Sequence, residues 1–246
     1  MSQPVLARRT LLKSAGASVL ACGCAAALPF GAADAAQTCA AQSAQTQAAM
    51  TPATALQYLK EGNARFAQGR PFNCDPRPQI AATGAAQFPF AAIVGCIDSR
   101  ESATVTFDQG IGDVFGVRIA GNFVNDDILG SLEFACAAAG AKLVLVVGHS
   151  SCGAVIGAID GVVLGNLTGM LANITPAIAA TPGFDEDRTS ANPAFVQAVA
   201  DKNVEMAVAR IRQRSDVLRD MESAGDIAIS GAMYDVTTGV VEFRTV

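Results

Sequence analysis

Two short segments of the 246-residue chain carry side chains from which a reactive site can be built. The first is Cys96-Ile97-Asp98-Ser99-Arg100 and the second is His149-Ser150-Ser151-Cys152-Gly153. Two thiolates and an imidazole are ligands that Zn²⁺ prefers, and three protein ligands leave the fourth tetrahedral position open, as in a catalytic site. Neutral imidazole and deprotonated sulfur suit zinc better than magnesium or calcium. Taken singly, each piece has a plainer reading. A cysteine closing a buried strand is commonly a core residue, and Asp98 with Arg100 in isolation reads as a strand-end salt bridge. Their coincidence directly after two apolar runs favours a metal centre with a charged pair beside it. His149 is the only histidine, which excludes any site needing two imidazoles from one chain.

The elements that must position these residues are short apolar runs of the buried parallel-strand kind, at 90–94, 114–119 and 143–147. Between the last two, residues 126–139 read as a helix with Ile128, Leu132 and Ala135 on one face. Thr51-Pro52 is an N-cap followed by proline at the first helical position, and Leu56, Leu59 and Phe66 follow at near-helical spacing up to Gly69. Pro71, Pro76, Pro78, Gly84 and Pro89 punctuate the next twenty or so residues, which read as an extended surface arm. An Ala/Val/Ile/Leu segment runs to Ala180, a second long helix spans about 193–222, and a hairpin-like finish turns at Thr237-Thr238-Gly239. Alternating strands and helices predict a single α/β domain with a central, mainly parallel β-sheet flanked by helices and an N-terminal helical arm. Its sites would lie beyond the carboxyl ends of the strands.

Composition narrows the function. Half the residues (51%) are hydrophobic, enough for a sizeable core, and 17 basic against 22 acidic side chains give a net charge of −5. An acidic chain without a basic face does not suit a nucleic-acid partner. Arg8-Arg9-Thr10-Leu11-Leu12-Lys13, a small-residue apolar run to Phe30, and the small-x-small site Ala33-Asp34-Ala35 have the layout of a twin-arginine export signal. The apolar run, about sixteen residues, is short for a membrane span of roughly twenty. The expected organisation is a signal peptide at 1–35, a flexible Ala/Gln/Thr-rich lead-in at 36–50, and one domain at 51–246. Delivery to the periplasm without stable membrane insertion follows. Cleavage would remove two of the seven cysteines and leave 14 basic and 21 acidic residues, a net charge of −7. Export in the folded state suits a protein whose metal is loaded while its thiolates are intact. Cys136 reads as core packing, and Cys39 and Cys74 are free to pair after export, although the sequence sets no distance between them.

Further matches make a resemblance specific. They include Asn63-Ala64-Arg65-Phe66, Phe107-Asp108-Gln109-Gly110, Gly112-Asp113-Val114-Phe115, Arg118-Ile119-Ala120-Gly121-Asn122, Ser131-Leu132-Glu133-Phe134-Ala135 and Gly231-Ala232-Met233-Tyr234-Asp235. Together with the two reactive segments, these make the chain similar to the β-class carbonic anhydrases over about four fifths of its length. The resemblance implies Zn²⁺ on Cys96, His149 and Cys152, with Asp98 and Arg100 as the adjoining dyad. It implies an active form in which Asp98 pairs with Arg100, and a closed form in which Asp98 takes the fourth metal position. It also implies Gln87 as a substrate contact across a dimer interface, Phe115 as a lining of the CO₂ pocket, and Gly153 as a close backbone approach to substrate. The expected reaction is attack of zinc-bound hydroxide on CO₂ to give bicarbonate and a proton, carried out in a homodimer or a larger even assembly.

The chain also departs from that pattern. Glu101-Ser102-Ala103-Thr104 stands where the family usually shows Val-Pro-x-Glu, which adds a carboxylate beside the dyad and removes another. Phe134 replaces a frequent tyrosine and Ile119 a frequent asparagine. The chain has no tryptophan, so the family's regulatory bicarbonate pocket, which uses one, is not expected. Competing readings are a related zinc hydrolase acting on CS₂ or COS, a non-catalytic zinc protein with Asp98 as fixed fourth ligand, and a thiol enzyme with Cys96 or Cys152 as nucleophile and His149 as base. With its single histidine engaged as a ligand, the chain keeps no imidazole shuttle. Proton export then depends on water, carboxylates or added buffer. Turnover at low buffer concentration should rise as an imidazole-type buffer is added, and a flat response would contradict this.

Overall fold

The computed structural model describes residues 39–244. The segment expected as an export signal lies outside the described residues. Helices α1 (Ala44–Ala49), α2 (Pro52–Ala67) and α3 (Pro76–Thr83) precede strand β1 (Ala91–Gly95). The short α4 (Ala103–Thr106), β2 (Val114–Arg118), α5 (Asp126–Glu133) and β3 (Leu143–His149) follow. Then come α6 (Gly153–Ile159), α7 (Gly165–Leu171), α8 (Thr175–Ala180), α9 (Pro193–Arg214) and α10 (Asp216–Ala224). Strands β4 (Ala228–Tyr234) and β5 (Val241–Arg244) complete the described chain. No helix among the described residues is long and apolar enough to cross a membrane.

The strand order is β2-β1-β3-β4-β5, with β1 to β4 mutually parallel and β5 antiparallel to β4. Strands β1 and β3 are buried along their whole length, which is why they read as unbroken apolar runs. Their side chains still alternate between two cores. Ala92, Val94, Val144 and Val146 face a cluster built with α5, α6 and α9. Ala91, Ile93, Leu143, Leu145 and Val147 face one containing Leu59, Phe90 and Phe107. β2 is an edge strand and is only partly covered.

Helix α2 starts as expected, with the Thr51 side chain accepting the Thr54 N–H and proline at its start. It ends beside the sheet because Asn63, almost fully buried, joins three elements. The Asn63 amide donates to Thr106 O (3.1 Å) and Gly239 O (2.9 Å), while its carbonyl accepts from Val241 N–H (2.8 Å). One residue earlier, a Cβ at Gly62 would lie 1.8 Å from Phe107 O, so only glycine permits this approach.

Several elements differ from expectation. The lead-in contains α1, opened by a Ser43–Thr46 capping box. Gln47 anchors it by donating to Pro89 O and Ala139 O, and Cys39 is disulfide-bonded to Cys74 with 5.6 Å between their Cα atoms. The extended arm contains α3. Pro76 and Pro78 sit where the first helical turn tolerates them, after Asp75 as N-cap. The 126–139 helix changes pitch, continuing as a π-helical turn at Phe134–Ala138. The long second helix breaks at Ser215, whose extended backbone and hydroxyl start α10 by accepting the Leu218 N–H. Replacing Asn63 with alanine leaves three backbone groups without partners. Urea unfolding should show a loss of about 2–4 kcal/mol, and an unchanged midpoint would contradict that role for Asn63.

Candidate metal centre

The parallel pairing of β1 with β3 places the two reactive segments side by side at the carboxyl ends of adjacent strands. Cys96 follows the last residue of β1, His149 ends β3, and Cys152 is the N-cap of α6. Their ligand atoms all lie within 4.8 Å of one another. All three are buried: Cys96 is 4% exposed, His149 0% and Cys152 1%.

The orientation of His149 is set by its neighbour. Its Nδ1 lies 3.0 Å from Ser150 O, which can only accept, so Nδ1 carries the proton and Nε2 keeps its lone pair. Nε2 is buried and, among the described residues, has no conventional hydrogen-bond partner. An orphaned, buried imidazole nitrogen turned towards two thiols fits a metal ion and leaves a costly polar group otherwise. The Cys96 thiol is prepared for the same role. A hydrogen bond with Cys152 holds the Cys96 thiol down to about 4, and the Gly121 N–H donates to Cys96 Sγ at 3.2 Å. The same contact, with burial, pushes Cys152 upward.

Asp98 and Arg100 form a two-point pair beside the cluster. Arg100 Nε donates to Asp98 Oδ1 (2.8 Å) and a terminal nitrogen donates to Oδ2 (2.7 Å), holding the carboxyl well below the usual carboxylate range. Asp98 Oδ2 lies 3.9 Å from His149 Nε2. A carboxylate placed there accepts hydrogen bonds only, so it can orient a donor lying between it and the three ligand atoms.

Other residues were not singled out from sequence as supports. Arg118, at the end of β2, donates to Cys96 O (2.9 Å) and Asp98 O (2.7 Å), tying the β1 exit to its neighbouring strand. Asn203, buried in α9, donates to Gly121 O (2.8 Å) and so steadies the turn whose amide meets Cys96 Sγ. A charged residue closing an apolar strand and a lone asparagine in an apolar helix face are the only signals the sequence offers for these two. Glu101, noted as a departure, is 3% exposed and accepts the Cys96 N–H at 2.8 Å. Burial pushes its carboxyl up to about 7.

The remaining expected substrate contacts lie apart. Gln87 is exposed between α3 and β1, and within the described residues no hydrogen bond links it to the cluster. Phe115 is half-buried on β2, its ring edge-on to that of Phe134 at 6.1 Å. Gly153 opens α6 and is exposed. A Cβ there meets no atom of the described residues within 4 Å, so their packing does not demand glycine.

A mainly parallel sheet with a buried Cys₂His group at its carboxyl edge, guarded by an Asp–Arg pair, defines the architecture of an α/β metalloenzyme. The sequence pattern of the carbonic anhydrase family matches residues 91–241. A carbonic anhydrase of Mycolicibacterium smegmatis is 36% identical over 198 residues, covering 79% of this chain and 94% of that protein. A β-carbonic anhydrase of Aspergillus fumigatus superimposes with a TM-score of 0.60 at 28% identity, covering 78% of this chain and 89% of that one. A chain from the structures of two tetrameric β-carbonic anhydrases of Sordaria macrospora gives 0.58 at 25% identity, covering 69% and 86%. The chain therefore belongs to the β-class carbonic anhydrase family and is an enzyme of that class.

The geometry predicts one divalent metal ion per chain, lost when Cys152 is replaced by alanine. Metal analysis of the purified proteins by mass spectrometry checks this. A variant retaining a full equivalent would contradict the ligand set.

Proposed function

We propose that this enzyme catalyses the reversible hydration of CO₂ to bicarbonate and a proton, with Zn²⁺ held by Cys96, His149 and Cys152. The observation that carries the reading is the buried ligand trio with Asp98 locked on Arg100 and 3.9 Å from His149 Nε2, in a chain of this family. Zinc bound there supplies a water-derived nucleophile at neutral pH. Arg100 keeps Asp98 ionised and aimed. Asp98, able only to accept, would take a hydrogen bond from a nucleophile held beside the ligand trio and so orient its proton. Phe115 contributes apolar lining, Gly153 allows the close approach of substrate, and Gln87 donates from a neighbouring subunit. With no second imidazole in the chain, the released proton leaves through water, carboxylates or buffer.

Assembly as a homodimer or higher even oligomer is part of the proposal. The partly covered β2 edge supports it, as do exposed apolar side chains at Ile97, Val105, Ile111 and Phe134 near that end of the sheet. The tetrameric assembly of the Sordaria macrospora relatives is consistent with it. Export to the periplasm on the twin-arginine signal is likewise proposed, supported by the Cys39–Cys74 disulfide, a bond that persists in oxidising compartments.

Stopped-flow assay of the zinc-loaded protein tests the activity. CO₂ hydration should be rapid in the native enzyme and fall by at least about a hundredfold in Asp98→Ala, since a misoriented nucleophile loses most of its positioning advantage. Hydrolysis of COS or CS₂ without CO₂ hydration would replace this reading with that of a related hydrolase. Zinc binding without either activity would leave a non-catalytic zinc protein.

A further inference from the structure

The carboxylate of Glu101 lies behind the metal centre, where the sequence departs from the family pattern, and it is too deeply buried to meet substrate directly. Its Oε2 accepts the N–H of Cys96 at 2.8 Å, and its own N–H donates to Asp98 O at 3.0 Å. The chain from Cys96 to Glu101 is thereby closed on itself by a side-chain bond and a main-chain bond. Arg118 fastens the same loop from outside through Cys96 O and Asp98 O. The loop carries one proposed metal ligand and both members of the dyad.

The room for this carboxylate is made by a neighbour. A Cβ on Gly95 would lie 2.1 Å from Glu101 Oε1 and 2.9 Å from its Cδ. Gly95 has an ordinary strand conformation and is paired with Arg118, so its backbone does not require glycine. The carboxylate does. A methyl at position 95 and the Glu101 carboxylate in its observed place exclude each other.

We infer that Glu101 is a positioning residue of the metal centre: by holding the Cys96 amide it fixes the main chain from which the Cys96 thiolate and the Asp98–Arg100 pair emerge. The inference rests on the proposed zinc site and deepens it. Groups that orient first ligands typically change metal affinity or activity tenfold to a hundredfold when lost. Glutamine retains a carbonyl oxygen of the same reach, so E101Q keeps the bond to Cys96, whereas E101A removes it. G95A drives the carboxylate aside and breaks the same bond by another route.

The test measures zinc release from the purified, zinc-loaded protein to a chromogenic chelator, alongside the visible absorption of the Co²⁺-substituted form. E101A and G95A should each release zinc roughly tenfold to a hundredfold faster and shift the cobalt bands. E101Q should stay near the native rate and spectrum. In the double variant G95A/E101A the added methyl enters vacated space, so release should be no faster than in E101A alone, a strongly non-additive cycle. Native behaviour of E101A would overturn the inference. So would equal damage from E101Q and E101A, or additive effects of G95A and E101A. If E101A does not fold, the contrast between E101Q and G95A carries the same decision. A native protein that binds zinc but does not hydrate CO₂ contradicts the proposed activity and leaves this role of Glu101 standing. Unaltered zinc release in a fully active enzyme contradicts the role alone.

Discussion

Bringing two thiols and an imidazole within 4.8 Å of one another, all but removed from water, is the constraint on which the rest of this structure depends. Thiolates buried without a cation are strongly disfavoured, and an imidazole nitrogen buried without a partner is costly as well. A divalent metal ion answers both demands. Only a rigid main chain can hold three donors from two segments at that spacing. The sheet provides it: β1 and β3 are paired in parallel and packed on both faces, so their carboxyl ends cannot drift apart.

Around this centre the polar groups form successive supports. Ser150 O sets the tautomer of His149, and Gly121 N–H meets Cys96 Sγ. Behind them, Asn203 holds the Gly121 turn, while Arg118 and Glu101 hold the loop between Cys96 and Glu101. These supports come from β2, α9 and the β1 exit, which makes the local chemistry a product of the whole sheet. The Asp98–Arg100 pair lies at the mouth of the site, with Asp98 close to His149 and Arg100 exposed. That division suits a carboxylate that works on the metal side and a guanidinium that works on the solvent side.

Much of this was legible in the amino-acid sequence, because strand-end position is a local property. Cys96 and the His149–Cys152 segment follow apolar runs too short for helices, and a parallel sheet brings such ends together. The capping signal Thr51-Pro52 and the final hairpin were equally local. What was not legible depends on distant pairings. The Gly121–Asn203 contact joins residues 82 positions apart, and nothing in an apolar helix marks one asparagine as a support. The Cys39–Cys74 bond needed a distance that sequence does not contain. Helix α3 was hidden by its own prolines, which signal a loop unless Asp75 is read as a cap. Helix α1 has no apolar face, and its order comes from Gln47 reaching two carbonyls elsewhere in the fold. Glu101 was visible as an anomaly, but its partner was a backbone amide, a group that every residue except proline carries.

The central claim is that Cys96, His149 and Cys152 hold one zinc ion through two sulfurs and one nitrogen, with the fourth position open to a light atom. X-ray absorption at the zinc edge of the purified protein measures this coordination directly. The expected spectrum shows two sulfur scatterers at about 2.3 Å with two nitrogen or oxygen scatterers at about 2.0–2.1 Å. A shell of four sulfurs, or one with oxygen and nitrogen alone, would contradict it.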